Sequence, residues 1–407
     1  MSAMSVEESL RRIDGWREEM IDSLARMLRI PALGPMNAGC GEGERADMVQ
    51  TLLDGFDSVE RFDAEDDGCL RPNIIARKGR GREGTVWIVS HLDTVPPGEL
   101  SAWDSPPWEP RLEDGKLYGL GAEDNGQAVI SSIYAARAVD LPENPRRGIG
   151  LAIVADEETL SIKGIQHLID LGEFGDDDIF YVPDWGLPDG SLVEVAEKHL
   201  VWLSVTVHGR QVHASKPGDG INAYRVGARL LIDLLDRLQE RYGDEDEVFT
   251  PSSSTFEPTR RDATVDNINT IPSRDRFYLD IRLLPRYDPE ELISFVRSVG
   301  EEHAAASGAK VEVGVVQLTV SGRPSDVNAD GFIALADAIR EVHGVEPRAV
   351  GIGGGTCANF FRLQGWNAYV WQSSEGKVHC ANEYCKVDNL GDDAKTFALA
   401  MHRLCND

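Results

Sequence analysis

The chain has 407 residues, 42% of them hydrophobic, which suffices for two domains with a substantial core and argues against disorder. It carries 41 basic against 69 acidic residues, a formal charge of -28, with nine Lys beside thirty-two Arg. That balance disfavours nucleic acid and anionic membranes as partners. Its plain reading is a solvated acidic surface, and its sharper reading is adaptation to a salty cytoplasm.

From the N-terminus, the first eight residues lack a basic leader and a continuous apolar core, and no later run approaches the length of a membrane span. A cytoplasmic location is the default expectation. Leu10, Ile13, Met20, Ile21, Leu24 and Met27 recur at helical spacing, predicting a helix over 6–29 that ends before Pro31. A second helix is expected over 44–55 and a strand over 73–77. Thr85-Val86-Trp87-Ile88-Val89-Ser90 reads as a fully buried strand that delivers His91 and Asp93 at its carboxyl end. The glycine-rich stretch 118–126 puts Asp124 on a turn before a helix over 127–139. A second apolar run, 149–154, ends in Asp156-Glu157-Glu158, and a strand over 178–183 runs into Asp184.

From Lys198 the pattern changes to half-exposed strands over 201–208, 276–283 and 310–317, alternating with helices over 222–242 and 289–306. This predicts an inserted α+β domain at 198–316, with 1–197 and 317–407 forming the two parts of an α/β domain. The second part holds helices over 329–342, 358–363 and 389–404, a strand over 348–352, and a strand over 367–371 that leads through a short loop to His379. The six cysteines, Cys40, Cys69, Cys357, Cys380, Cys385 and Cys405, are scattered, so free thiols are expected rather than a disulfide framework. His379-Cys380 with Cys385 imitates a soft metal site, but no second cysteine pair completes it.

Chemistry gathers outside the carboxyl ends of strands in open parallel sheets. By that rule His91, Asp124, Glu158, Asp184 and His379 meet on one edge. Two imidazoles and three carboxylates with no thiolate suit one or two borderline ions, zinc first, with cobalt or manganese able to substitute. Asp93 is placed to accept the second imidazole N–H of His91 and fix its tautomer. Of Glu157 and Glu158, one can bind metal while the other handles protons. Each element alone has a bland reading: a structural His-x-Asp, a solvated helix start, a turn aspartate, a satisfied loop histidine. The weight lies in their convergence.

His91-Leu92-Asp93-Thr94-Val95-Pro96, Gly119-Leu120-Gly121-Ala122-Glu123-Asp124, Asp156-Glu157-Glu158, Pro183-Asp184, the 197–223 segment, Gly353-Gly354-Gly355-Thr356 and His379-Cys380-Ala381-Asn382-Glu383 together resemble one family in order. It is the dinuclear-zinc amidohydrolase and peptidase family of succinyl-diaminopimelate desuccinylase, acetylornithine deacetylase, aminoacylase and glutamate carboxypeptidase. The resemblance covers most of the chain. It implies a mixed, mostly parallel sheet flanked by helices, with the insert as a lid and dimerisation domain. It further implies two zinc ions per chain, bridged by Asp124, with His91 and Asp184 on one and Glu158 and His379 on the other. Glu157 would be the general base, activating water for attack on an amide carbonyl, and Asp93 the partner of His91. A cis peptide after Asp124 is frequent in the family. The resemblance also assigns His213, reaching from the partner subunit's insert, to the tetrahedral oxyanion; His208 faces solvent. Substrate recognition falls to Asn269, to Arg282, whose guanidinium can grip a carboxylate bidentately, and to Gly354, Gly355 and Thr356 before a helix.

These groups favour an N-acyl amino acid, cleaved by a homodimer whose partner could continue the sheet from an edge left available by the alternating strand around Trp202. The chain departs from the commoner pattern at Cys357, at His199 and at Asp184, where deacylases and carboxypeptidases usually carry Glu. Family members with Asp there include aminopeptidases and dipeptidases, which keeps short peptides in play. Two readings from other classes compete. A dinucleotide turn at 351–356, with Glu375 as ribose partner, leaves five metal-type side chains unexplained. A non-catalytic binding module leaves unexplained why every ligand and the base are present.

Overall fold

The computed structural model describes residues 5–406; residues 1–4, part of the stretch read for a leader, and residue 407 lie outside the described residues. The chain divides into two compact units. The first comprises Met1–Val195, Pro324–Ala349 and Thr356–Asp407, and the second Ala196–Arg323 with Val350–Gly355. The insert was expected at 198–316; the second unit begins before 198, ends after 316 and also takes in most of the later glycine turn.

The first unit is built on a sheet in the order Ser58–Asp66, Cys69–Lys78, Gly148–Val154, Thr85–His91, Ile179–Val182, Ala368–Val370, Leu192–Glu197, Arg348–Ile352, the last two strands ending in residues counted with the second unit. Gly148–Val154, Thr85–His91, Ile179–Val182 and Ala368–Val370 run parallel, and their apolar runs are buried almost throughout because helices cover both faces. On one face Trp87, Val89, Phe180 and Val182 pack with Phe174 and Phe361, the Phe180 and Phe361 rings stacking at 3.8 Å between centroids. On the other, Tyr181 and Trp371 meet Phe397 of the long C-terminal helix Val387–Cys405. Register pairs His91 with Val154 and Ile88 with Tyr181, so the chain leaves all of these strands along one edge.

Two expected helices needed correction. The helix over 6–29 is two helices, Val6–Gly15 and Arg17–Leu28, broken at Trp16 (φ -94°, ψ 5°). Gly15 contributes little helix propensity, and the break lets Trp16 pack edge-on against Tyr134 at 5.7 Å. The helix over 44–55 is shorter, Gly43–Gln50. Strands Ser58–Asp66 and Leu192–Glu197 were not foreseen, nor was a small sheet of Arg111–Glu113, Lys116–Tyr118 and Tyr384–Lys386. Ser58–Asp66 is a mostly half-exposed edge with charged residues at Glu60, Arg61, Asp63 and Glu65, which hides its period.

The second unit is a four-stranded antiparallel sheet in the order Thr255–Arg261, Arg274–Leu283, His199–His208, Lys310–Thr319. Val201, Leu203, Val205, Val207, Phe277, Leu279, Ile281 and Leu283 form its buried face, covered by helices Ala223–Arg241 and Pro289–Ser307. Thr255–Arg261 was missed. It carries Pro258 beside a register shift, which an edge strand tolerates. The strand around Trp202, expected to leave an edge available, is instead interior, paired on both sides; the edges are Thr255–Arg261 and Lys310–Thr319. Among the described residues no helix is long and apolar enough to cross a membrane.

Candidate metal centre

The parallel register brings the expected donors of the first unit together. His91, the last residue of its strand, lies with its Nε2 3.0 Å from Asp124 Oδ1 and 3.4 Å from Asp184 Oδ1. His379 Nε2 lies 3.1 Å from the other Asp124 oxygen and 3.1 Å from Glu158 Oε2. Two donors about 2.0–2.1 Å from a tetrahedral ion stand about 3.4 Å apart, so these spacings suit ligands of shared cations. Asp124, with one oxygen on each imidazole, has the geometry of a bridge. His91, Asp124 and Glu158 form one donor group within 4.8 Å, and His91, Glu157 and Asp184 another.

The charge balance points the same way. Burial pulls the His91 imidazole down, but hydrogen bonds with Asp124, Asp184 and Asp93 outweigh it and raise its pKa well above the ordinary value. Hydrogen bonds with Asp124 and Glu158 push His379 up to about 11. Burial pushes Asp124 up, but hydrogen bonds with His379 and His91 prevail and hold it low. Glu157 is raised well above the carboxylate range, by burial first and then by Asp184. Burial likewise raises Glu158, partly offset by its bond with His379. A partly buried cluster, with His91 buried and His379 exposed, that draws protons onto two imidazoles has an excess of negative charge, which one or two divalent cations would neutralise.

Backbone contacts fix the donors. Asp93 accepts the N–H groups of Glu157 (3.0 Å) and Glu158 (3.1 Å) on its two oxygens; its backbone carbonyl lies 3.1 Å from His91 Nδ1, nearer than its carboxylate Oδ1 at 3.4 Å, which was the expected partner. It therefore ties the imidazole to the turn Glu157–Thr159. The peptide between Asp124 and Asn125 is cis.

Three supports escaped the sequence reading. Asn125 donates to Asp184 Oδ1 (3.0 Å) and to the Pro183 carbonyl (2.7 Å), while its Oδ1 accepts the His91 N–H at 3.1 Å. Glu383 accepts the N–H groups of Gly121, Glu123 and Asp124 at 2.9–3.0 Å; burial, then the nearby Asp124 charge, raises its pKa to about 8. Arg71, 1% exposed, forks onto Glu42 and lies 3.2 Å from Asp156 and 4.0 Å from Asp93. Glu383 was visible only as the last residue of the His379 motif. Asn125 and Arg71 carried no local signal, because their partners are remote in sequence.

The second unit holds the expected recognition residues. His213 lies on the two-residue strand Val212–His213, paired with Thr270–Ile271, its exposed ring 2.8 Å from Ser215 Oγ. Asn269 adjoins it, its carbonyl accepting the Ala214 N–H at 2.8 Å. Arg282 forks onto Asp280 (2.8 and 3.1 Å) and donates to the Gly353 carbonyl, so its guanidinium is already engaged. His208 is half-buried beside Glu312 at 3.1 Å. Gly354 and Gly355 are exposed, and the unit boundary falls before Thr356, whose Oγ1 accepts the N–H of Ala358 at 3.2 Å. The helix that follows, Ala358–Leu363, has only 6 residues, which limits its dipole.

Comparison with known proteins gives the family of the chain. Peptidase family M20/M25/M40 matches residues 87–403. An uncharacterised metallohydrolase of Methanocaldococcus jannaschii is 34% identical over 93% of this chain and 98% of its own length. Succinyl-diaminopimelate desuccinylase of Alkalilimnicola ehrlichii is 27% identical over 95% of this chain and 99% of its own. In structure, aminopeptidase PepT from Bacillus cereus superposes with a TM-score of 0.75 at 17% identity, covering 95% of this chain and 98% of the other, a likeness of fold. The chain belongs to peptidase family M20/M25/M40 and is a metal-dependent hydrolase acting on amide bonds.

Proposed function

We propose that the protein hydrolyses the amide bond of an N-acyl amino acid, using two zinc-class ions per chain. The observation that carries the metal reading is the pair of imidazoles on opposite oxygens of Asp124, His91 at 3.0 Å and His379 at 3.1 Å. His91 and Asp184 would hold one ion, Glu158 and His379 the other, and Asp124 both; cobalt or manganese could substitute. When bound, the ions supply Lewis acidity at the amide carbonyl and make a water acidic enough to lose its proton near neutrality. Glu157 takes that proton and hands it to the leaving amine. Asp93 keeps Glu157 in place through the backbone N–H it accepts. His213, supplied by a second copy of the chain, donates to the oxyanion of the tetrahedral intermediate.

Asn269, Arg282 and the backbone of Gly354, Gly355 and Thr356 receive the substrate carboxylate. Because Arg282 already carries Asp280, the carboxylate must share or displace that fork. The N-acyl choice draws on these carboxylate-binding groups and on the named desuccinylase relative, similar over nearly its whole length. Asp184 favours a second reading, a di- or tripeptidase on the same metal site. We further propose a cytoplasmic homodimer. If it forms by sheet continuation it must use Lys310–Thr319 or Thr255–Arg261, the strands that are edges here.

The deciding experiment is a panel of N-succinyl, N-acetyl and N-formyl amino acids beside free dipeptides, assayed with zinc-, cobalt- and manganese-loaded protein. Cleavage of an N-acyl amino acid is expected. Exclusive cleavage of peptides with a free α-amino group would move the assignment to the peptidase reading. Metal analysis of dialysed protein should find two ions per chain; no stoichiometric metal, with no activity restored by any of the three, would overturn the metal assignment.

A further inference from the structure

Behind the metal-facing carboxylates of the first unit, a loop is laid over a buried arginine. Arg71 holds Glu42 (2.7 and 2.9 Å), Asp66 (2.8 Å) and Asp156 (3.2 Å), and Glu42 closes the loop 33–42. That loop is tied to itself by Gly41 N–H to the Leu33 carbonyl (2.9 Å) and Gly39 N–H to the Gly34 carbonyl (3.1 Å). It lies close against its neighbours: a Cβ on Gly34 would stand 2.9 Å from Arg71 Nη2, and one on Gly41, at φ +86°, 2.8 Å from the Leu70 carbonyl. Only glycine permits that approach with that backbone.

At the seam between this loop and the 66–69 turn, Cys40 Sγ lies 2.7 Å from Cys69 Sγ. Cys40 is exposed and Cys69 half-buried, so small reagents reach both; Cys357, Cys385 and Cys405 are buried, and Cys380 is exposed elsewhere. A disulfide needs about 2.05 Å between sulfurs, so closure asks each side to move by less than an ångström. The cysteines are 29 positions apart, and cross-linking them removes the freedom of the intervening chain in opened states.

We propose that Cys40 and Cys69 are a redox modification site, a reversible disulfide that seals the loop 33–42 over Arg71. The oxidant is a low-molecular-weight disulfide such as oxidised glutathione. The more exposed Cys40, as thiolate, attacks one of its sulfurs, forming a mixed disulfide and releasing one thiolate. Cys69 then loses its proton to solvent and attacks the Cys40 sulfur, releasing the second thiolate. In balance, two protein thiols and one small disulfide become one protein disulfide and two small thiols. The consequence is local. Arg71 is held against Asp156, next in sequence to Glu157, and 4.0 Å from Asp93, which orders the N–H groups of Glu157 and Glu158.

The full-length protein equilibrated in mixtures of oxidised and reduced glutathione, alkylated with iodoacetamide and digested, tests the bond by mass spectrometry. A peptide linking Cys40 to Cys69 is expected as the mixture becomes oxidising, reverting to two alkylated thiols in excess reduced glutathione. Amide hydrogen exchange of residues 34–42 should slow at least about tenfold in the oxidised protein, and Cys69→Ala and Cys40→Ser should show neither effect. Glutathione adducts without the cross-link at every ratio, or exchange of 34–42 that is equal in both states, would overturn the proposal; the wild-type measurements stand whether or not the variants fold.

Discussion

The sheet edge of the first unit and the antiparallel sheet of the second place their proposed functional residues under different physical control. In the first, His91, Glu158 and Asp184 leave three strands whose mutual register is set by buried parallel ladders, and each side chain or its backbone is held by a partner such as Asp93 or Asn125. In the second, His213 and Asn269 ride on a two-residue ladder and its loop, exposed, and Arg282 projects from the polar side of a strand onto Asp280. The first arrangement holds its donors through several partners at once; in the second the His213 and Asn269 side chains are exposed, while Arg282 is engaged by Asp280 and the Gly353 carbonyl. Metal chemistry needs the former, and adapting to different acyl groups or peptides suits the latter.

The sharpest way to break that contrast is Glu157→Gln, which keeps the shape and removes the base. Turnover should fall by roughly 10² to 10⁴ while metal content is unchanged, and wild-type turnover would remove Glu157 from the mechanism. His213→Ala comes next, with a loss of about 10² to 10³ in kcat if it donates to the oxyanion, at unchanged metal content and oligomeric state. Mixing it with Glu157→Gln should restore activity after subunit exchange, because one composite site then carries both groups. No recovery despite proven exchange would place His213 in its own chain's site or outside catalysis.

Asp93→Asn probes the control of the first unit directly. It leaves one carbonyl oxygen where two accepted the Glu157 and Glu158 N–H groups, and metal affinity should weaken by about 10- to 100-fold, read by competition with a chelator. The smallest effect concerns the whole surface. At a formal charge of -28, self-repulsion is relieved as the Debye length contracts to about 3 Å near 1 M salt, so Tm should rise between low and molar potassium chloride. A flat or falling curve would leave the acidity with a solubility role alone.

Much of this molecule was legible in one dimension. The runs before His91, Glu158 and Asp184 are uniformly apolar because buried parallel strands have no solvent face, so both the strands and the donors at their ends announce themselves. The alternation in 201–208 and 276–283 likewise declares a sheet with one covered face. What the sequence could not carry were pairings and long-range supports. It left open that the Trp202 strand is central, because an alternating pattern is the same whether one side or both are paired. The edge strands Ser58–Asp66 and Thr255–Arg261 were hidden because half-solvated backbone tolerates charge and proline without a clean period. Nor did it reveal that Glu383 caps the turn at Asp124, that Asn125 spans His91 and Asp184, or that Cys40 meets Cys69 over Arg71. Local periodicity records which face of an element is buried, and only tertiary structure decides which remote donor fills each buried acceptor.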